Sequence, residues 1–300
     1  MIYLLVTDRG SRTIQDYLRD WADNLAAKIT VLLYENYFGW PPEAPGTYIF
    51  SDLERLTDAQ VLVFGNCADR LEKSFPEALI VNHPKHALRR FDLLQTLHDT
   101  GINSFKAYPL LQVPHTVRFP IFLRFARDHN GPCSQLIPDQ NALMSATMKF
   151  TVAGFRLDEI LAIEYCDTCS ADGWFRKYSA FRFGDRVVPA HVVFSRHWVA
   201  KDNSELETHL REEQKNYASS NPHANFIRRI FDLAKIQYGR IDYSMLGDKP
   251  QVWEINTNPV LLKARAVYET ESPSAIPLKE ELSSIIGRCL DELDICSDVG

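Results

Sequence analysis

A hairpin-like segment, GRIDYSMLGDKPQVWEINTNPV at residues 239–260, constrains the fold and chemistry of this chain more than any other stretch. Two strand-like runs flank a Gly-Asp pair that tolerates a tight turn. Because side chains alternate between the faces of a strand, Glu254 and Asn256 share one face. Pairing Asp242 with Glu254 requires a three-residue loop at 247–249 or an equivalent bulge. Such pairing would bring two carboxylates and an amide oxygen together.

These three oxygen ligands suit Mg²⁺, which typically takes one or two protein carboxylates and completes its shell with nucleotide phosphates and water. Calcium or zinc would need more ligands or softer ones. The alternative is that these are exposed hairpin positions, solvated and without function, and the spacing of the two acids alone favours that alternative. The rest of the sequence favours the metal site instead.

Apolar runs alternate with amphipathic stretches over the first 84 residues, which predicts a small parallel sheet covered by helices. The strand candidates are IYLLV, KITVLLY, AQVLVFG and ALIVN. Between them, YENYFGWPPEAPGTYIF is rich in aromatic residues and proline. We expect this stretch to form an ordered lid or interface loop that contributes to substrate choice.

The pattern of apolar and polar residues changes after residue 84. KHALRRFDLLQTLHDTG predicts a helix that ends at Gly101. RFPIFLRF predicts a strand whose polar face ends in Arg124 beside the polar loop ARDHNGPCS, a combination that could grip a phosphate. Two strands joined at residues 184–185 predict a second hairpin, and Ser204 with Glu207 predicts a helix capping box.

Composition and charge exclude several classes of protein. The net charge of -6 and pI near 5.9 argue against nucleic-acid binding, which needs clustered basic residues. The opening apolar run is too short for a secretory signal or a membrane span, so we expect a cytoplasmic protein. The six cysteines form no disulfide pattern. We interpret Cys166 and Cys169 in CDTC as ordinary reduced cysteines, since no second pair accompanies them.

The segment YGRIDYSMLGDKPQVWEINTNP resembles the signature of the ATP-grasp superfamily, and most of all that of D-alanine:D-alanine ligases. In those ligases the segment runs Gly-Arg-(Ile/Val)-Asp, a hairpin, and then Glu-(Ile/Ala)-Asn-Thr-(Ser/Asn)-Pro. RRFDLLQTLHDTGI, FPIFLR and IEYCD resemble, in the same order, the helix after the first lobe, the nucleotide-gripping strand and the hinge against which adenine sits. The resemblance covers most of residues 85–265.

The resemblance implies an α/β fold with α+β lobes. In such a fold a small parallel-sheet pre-ATP-grasp domain is followed by a two-lobed ATP-grasp domain with antiparallel sheets. We expect the first domain at residues 1–84 and the ATP-grasp domain at 85–300. Within the second, we expect a nucleotide lobe at about 85–165 and a metal and substrate lobe at about 166–300.

The resemblance also implies roles for individual side chains. Asp242, Glu254 and Asn256 would hold Mg²⁺. Arg240 would face the reacting carboxylate. The nucleotide would be bound by six further residues, of which the first three contact phosphates and the others line adenine and ribose: Arg90, Arg124, Lys177, Glu164, Tyr165 and Asp167.

The chain departs from the pattern of the family at several points. ATP-grasp members usually carry Lys at the positions of Arg90 and Arg124, and Arg keeps the charge but has a planar, bidentate shape. Lys177 matches its position by order only. The usual glycine- and serine-rich loop is DHNGPCS here. After Asn-Pro the chain has VLLKARAVY in place of the small residues and serine of the ligases, so the D-alanyl pocket is not carried over.

We therefore expect an ATP- and Mg-dependent ligase that joins a small-molecule carboxylate to an amine or similar nucleophile through an acylphosphate. Two alternatives remain open: an ATP-grasp kinase that phosphorylates a hydroxyl, and a nucleotide-binding regulatory protein without turnover. We expect no nucleic-acid or membrane partner. The sequence predicts neither the identity of the acid and the amine nor the oligomeric state.

Overall fold

The computed structural model describes residues 1–40, 43–200 and 207–295, and it contains three β-sheets with helices packed on them. One sheet has four parallel strands, and the other two are antiparallel with three and four strands. This arrangement confirms the predicted α/β class with antiparallel lobes. No helix within these ranges combines the length and the apolar character that crossing a bilayer requires.

The first sheet and its two helices comprise β1 (Ile2–Val6), α1 (Asp8–Trp21), β2 (Ile29–Leu33), β3 (Thr47–Phe50), α2 (Asp58–Ser74) and β4 (Leu79–Val81). The strands pair in parallel in the order β2-β1-β3-β4. Leu4 of β1 lies opposite Ile49 of β3, and both side chains are buried. Continuous apolar strands are what a sheet covered by helices requires.

One predicted strand of this sheet is wrong. The run AQVLVFG at 59–65 lies inside α2, and the strand beside β1 is instead TYIF at 47–50, within the stretch expected to be a loop. Thr57 begins the helix, because its Oγ1 accepts a hydrogen bond from Gln60 N at 3.2 Å while Gln60 Oε1 accepts one from Thr57 N at 2.9 Å. Leu62 is 58% exposed, which a central strand would not allow.

The second sheet and its helices comprise α3 (Arg90–Asp99), β5 (Ala107–Pro109), β6 (Ile121–Phe125), α4 (Gln140–Val152) and β7 (Ile160–Glu164). The antiparallel strand order is β5-β7-β6. The helix predicted from residue 85 begins five residues later than expected, because the backbone of Arg89 is extended. The chain turns at Gly101, where φ is 72°, just after the helix ends.

The third sheet and its helices comprise β8 (Phe175–Phe183), β9 (Arg186–Ser195), α5 (Thr208–Ser220), α6 (Ala224–Ala234), β10 (Tyr238–Leu246), β11 (Lys249–Asn256), α7 (Arg265–Glu271) and α8 (Ile276–Asp291). The antiparallel order is β11-β10-β8-β9, and the hairpin predicted at 184–185 is confirmed. Ser204 of the predicted capping box lies outside the described residues. Helix α5 follows Glu207, whose side chain makes no capping hydrogen bond.

Strands β10 and β11 form the hairpin predicted from the 239–260 segment, with Asp242 opposite Glu254. The turn has two residues, and a bulge shifts the register between Asp242 and Tyr243, so Trp253 is the extra residue on β11. This confirms the second of the two predicted solutions, a bulge in place of a three-residue loop. The bulge keeps the two carboxylates on one face of the sheet.

Candidate nucleotide and metal site

The hairpin presents four polar side chains side by side. Asp242 lies opposite Glu254, and Arg240 lies opposite Asn256. Asp242 is buried, and its Oδ1 accepts hydrogen bonds from Ser179 Oγ at 2.8 Å and from Arg240 Nε at 3.0 Å. The structure thus brings together the three residues predicted to hold a metal and the arginine predicted to face the reacting carboxylate. It leaves their roles as predictions.

Asp242 keeps its negative charge in this buried position. Burial alone would raise the pKa of its carboxyl, but Arg240 and Lys177 outweigh that effect and hold the pKa below its usual range. Lys177 Nζ, on the neighbouring strand β8, lies 3.7 Å from Asp242 Oδ2. A charged carboxylate in this position can bind a metal ion, and the two cations beside it can bind an anionic substrate.

Glu254 is held by the two arginines that the sequence assigned to phosphates. Arg90 Nη2 of α3 lies 2.5 Å from Glu254 Oε2, and Arg124 Nη2 of β6 lies 2.6 Å from the same oxygen. Burial would raise the pKa of the Glu254 carboxyl, but the two guanidinium groups lower it well below its ordinary value. Within the described ranges, Oε1 accepts no hydrogen bond, so one carboxylate oxygen remains available to a cation.

Buried donors without partners gather around this ion pair. Among the described residues, the buried side-chain nitrogens that lack a hydrogen-bond partner are Arg90 Nε, Arg124 Nε and both ring nitrogens of His129. An unsatisfied buried polar group costs about 1–3 kcal/mol, so a concentration of them in one place needs an explanation. The two guanidinium nitrogens can only donate. Groups of this kind are satisfied by an anion.

The same region opens into a cavity of about 190 Å³ between the second and third sheets. Its lining includes five charged or ionisable side chains: Arg124, His129, Lys177, Asp242 and Glu254. It also includes five aromatic side chains: Phe122, Tyr165, Phe175, Trp198 and Trp253. A lining that combines aromatic surface with charged groups suits a ligand with a planar base and an anionic tail.

The three predicted hinge residues point in different directions. Tyr165 lines the cavity, with its ring centroid 5.9 Å from that of Trp198. Glu164 is buried elsewhere, where its carboxylate accepts hydrogen bonds from Lys106 N at 3.2 Å and Arg118 N at 3.1 Å. Asp167 is exposed and accepts a hydrogen bond from Cys169 N at 3.0 Å. Of the three, only Tyr165 lines the cavity.

The structure places the two cysteines of the CDTC motif in different surroundings. All five cysteines among the described residues are free, and Cys296 lies outside them. Cys166 is buried beside Ser104, with 3.4 Å between Sγ and Oγ, whereas Cys169 is exposed. The CDTC pair therefore forms neither a disulfide nor a convergent ligand pair.

Two acids of the first lobe reach the site, and sequence reasoning missed both. Glu54 is buried, and its Oε2 accepts a hydrogen bond from Thr257 Oγ1 at 2.9 Å, just after β11. Burial, and then the nearby Asp52, raise the pKa of Glu54 to about 7. His129 Nε2 lies 4.0 Å from Asp52 Oδ1. Their position in the chain could have indicated this, because both acids follow β3 at the carboxyl end of a parallel sheet, where ligands commonly bind.

Solved structures of two D-alanine:D-alanine ligases resemble the fold over 97% of this chain. The Bacillus anthracis enzyme complexed with ATP is 13% identical, with a TM-score of 0.55 over 97% of this chain and 98% of that one. The Coxiella burnetii enzyme is 10% identical, with a TM-score of 0.50 over 97% of each chain. No family model and no curated protein matches the sequence. At these identities the likeness establishes the fold, while the reaction has to be argued from the site.

Proposed function

Because the chain has an ATP-grasp fold that resembles D-alanine:D-alanine ligases, we propose that it is an ATP- and Mg-dependent ligase. It would join a small-molecule carboxylate to an amine, or a similar nucleophile, through an acylphosphate. The observation that supports this most is the set of charged side chains that line the cavity, Asp242 and Glu254 together with Arg124 and Lys177. Two carboxylates can bind the metal ion and two basic side chains can bind the phosphates, so the set suits a metal-bound polyphosphate.

The base of the nucleotide would lie against the aromatic side chains of the cavity, and its phosphates would lie beside the charged ones. Tyr165, Phe122 and Trp198 offer ring surfaces to adenine. Glu164 and Asp167 remain proposals for adenine and ribose, and their present contacts lend them less support than those of Tyr165. The cavity is smaller than the roughly 300–1,000 Å³ usual for small-molecule pockets. Binding would therefore widen the cleft.

Arg90, Arg124 and Lys177 would bind the phosphates. The unpaired Nε atoms of Arg90 and Arg124 support this. Each guanidinium donates to Glu254 from Nη2 and still has an Nε–H group without an acceptor. Phosphate oxygens would accept the hydrogen bonds that Arg90 and Arg124 now donate to Glu254, and the Glu254 carboxylate would then be free to bind the metal. Arginine forms bidentate bonds with phosphate, so replacing the lysine usual in this superfamily changes the geometry and keeps the charge.

Asp242, Glu254 and Asn256 would hold Mg²⁺. Their donor set fits the ion, because all three offer oxygen, the two acids are ionised, and Glu254 Oε1 is available. Bound Mg²⁺ would neutralise negative charge on the β- and γ-phosphates. Asn256 Oδ1 already accepts a hydrogen bond from Asn258 N at 2.9 Å, which orients the amide oxygen.

The remaining residues would orient the reacting groups. Arg240 projects from the same face as the metal ligands, and it would bind the substrate carboxylate so that one oxygen attacks the γ-phosphorus while the bond to ADP breaks. The amine would then attack the acyl carbon, and phosphate would leave with the electron pair of the C–O bond. The structure offers no basis for naming the acid or the amine.

A second candidate is a nucleotide-binding protein without turnover. The observation that favours it is the double ion pair on Glu254, which neutralises a predicted metal ligand. A kinase that phosphorylates a hydroxyl has no observation of its own in its favour. It differs from the ligase only in the acceptor.

Trapping with hydroxylamine separates these functions. The protein is incubated with ATP, Mg²⁺, hydroxylamine and one of two panels, the first of amino acids and dicarboxylic acids and the second of hydroxyl compounds. Both hydroxamate and ADP are measured. The ligase predicts a hydroxamate with at least one acid, strongly reduced in Glu254→Gln and unchanged in Glu281→Gln, an exposed glutamate of α8. ADP without hydroxamate, with any hydroxyl acceptor, would favour the kinase. Nucleotide binding with no ADP across both panels would favour the protein without turnover.

A further inference from the structure

His129 is the least explained side chain of the site. It lies in the loop between β6 and α4, the polar loop beside Arg124 that the sequence predicts near a phosphate, but the sequence assigns no role to this histidine. Its side chain is 20% exposed, yet both ring nitrogens are buried and neither has a hydrogen-bond partner among the described residues. A neutral imidazole carries one donor and one acceptor, so both capacities are unused.

The surroundings of His129 combine several charges. The ring lines the same cavity as Arg124 and Glu254, and its Nε2 lies 4.0 Å from Asp52 Oδ1, too far for a hydrogen bond. Burial, with help from the arginines at 90, 55 and 124, lowers the pKa of His129 to about 4 against the opposing effect of Glu254. The ring is therefore neutral at physiological pH.

A metal ion is the first occupant to consider for this position. Ligand atoms of Asp52, Glu54 and His129 all lie within 4.8 Å of one another. However, Arg55 Nε donates to Asp52 Oδ1 at 2.9 Å, and the Glu54 oxygens accept hydrogen bonds from Thr257. The carboxylates are already occupied, and a further cation would meet nearby guanidinium groups.

An anion fits the same surroundings better. Arg124 lines the same cavity as His129 and holds an unpaired Nε, so the lining of this cavity has two unused donors. The base would lie against aromatic side chains of the lining such as Phe122 and Tyr165. His129 instead approaches Asp52 of the first lobe, with 4.0 Å between Nε2 and Oδ1. The end of the polyphosphate chain is the anionic group that would reach it.

We propose that His129 donates a hydrogen bond to the terminal phosphate of bound ATP and so favours ATP over ADP. This inference rests on the proposed nucleotide site. It adds a contact from a loop side chain that the motif of the hairpin does not contain.

The test compares two nucleotides by calorimetry in excess Mg²⁺: ADP and the non-hydrolysable ATP analogue AMP-PNP. The proteins are the wild type, His129→Ala, His129→Gln and His115→Ala, the last being an exposed histidine in the same lobe. A hydrogen bond to a charged group is stronger than one between neutral groups, so His129→Ala should weaken AMP-PNP binding by roughly tenfold or more. ADP binding should change by less than about twofold, and His115→Ala should match the wild type.

His129→Gln can still donate a hydrogen bond, and partial recovery of AMP-PNP affinity would support the contact. It also serves if the alanine variant fails to fold, which a thermal melt would reveal. Equal weakening of both nucleotides, or no change in either, would overturn the role of His129 and leave the nucleotide site intact. If the wild type binds neither nucleotide, the proposed function fails first, and the two failures are distinguished by the wild-type data alone.

Discussion

Arg90 and Glu254, which are 164 positions apart, form a buried ion pair with 2.5 Å between Nη2 and Oε2. The pair joins α3 of the second sheet to β11 of the third. Arg90 also donates from Nη1 to the backbone oxygens of Phe125 and Ala126, at 3.0 Å and 2.7 Å, just before the His129 loop. One side chain therefore links the loop after β6, the end of β6 and the hairpin strand β11.

Removing Arg90 should destabilise the fold. In Arg90→Met, Glu254 loses one of its two buried partners, and breaking a buried pair costs about 3 kcal/mol. Urea unfolding measures this loss. The neighbouring Arg89→Met is the matched control, because Arg89 pairs with an Asp58 side chain that is 76% exposed, and such surface pairs contribute at most about 1 kcal/mol. Equal losses in the two variants would contradict a special role for the buried pair.

Glu54 should make the stability of the protein depend on pH. Its pKa is about 7 in the folded state and near 4.5 when the chain is unfolded, so the folded state holds the extra proton between these values. Stability from this group is complete below pH 4.5 and falls by roughly 3 kcal/mol as the pH rises to 7. Glu54→Gln cannot titrate and should lack this loss.

The measurement is urea unfolding of the wild type and Glu54→Gln at several pH values between 4.5 and 7.5. Comparing the two proteins cancels the opposite effect of His129, whose pKa of about 4 makes stability rise with pH up to about 6.5. The difference in stability should shift steadily in favour of the glutamine variant. Parallel curves would show that Glu54 is ionised in the folded state.

Arg124 tests whether arginine replaces the lysine usual in ATP-grasp proteins. Arg124→Lys keeps the charge and should bind AMP-PNP with Mg²⁺ within about tenfold of the wild type. Arg124→Met should lose more than tenfold, because a charge-assisted bond to phosphate disappears. Arg127→Met, in the following loop and paired with Asp58 across 3.4 Å, controls for the loss of nearby charge. Binding that ignores both Arg124 variants would remove Arg124 from the nucleotide site.

The hairpin was predictable because its signals are local. Strand alternation put Glu254 and Asn256 on one face, and the pairing of Asp242 with Glu254 allowed the bulge that the structure contains. The AQVLVFG run was misassigned because a short apolar run fits a strand as well as a helix segment. The capping pair of Thr57 and Gln60 was the information that could have decided it.

The contacts between lobes were not predictable from one sequence. Arg90 and Arg124 were expected to bind phosphates, and nothing in their local sequence indicates that they form ion pairs with Glu254. His129 approaches Asp52 from a loop 77 positions away, a juxtaposition that depends on how the sheets pack. Such non-local pairs follow from tertiary packing, whereas alternation and capping follow from neighbours in the chain.

The most direct test of the account is calorimetric binding of AMP-PNP with and without Mg²⁺, to the wild type, to Glu254→Gln and to Asp248→Asn in the exposed turn of the same hairpin. We predict that Mg²⁺ strengthens binding to the wild type and to Asp248→Asn. Glu254→Gln should lose most of this gain while its metal-free binding stays the same or improves, since Arg90 and Arg124 are released. Absence of binding to the wild type, or binding indifferent to both Mg²⁺ and Glu254, would contradict the proposed ligase.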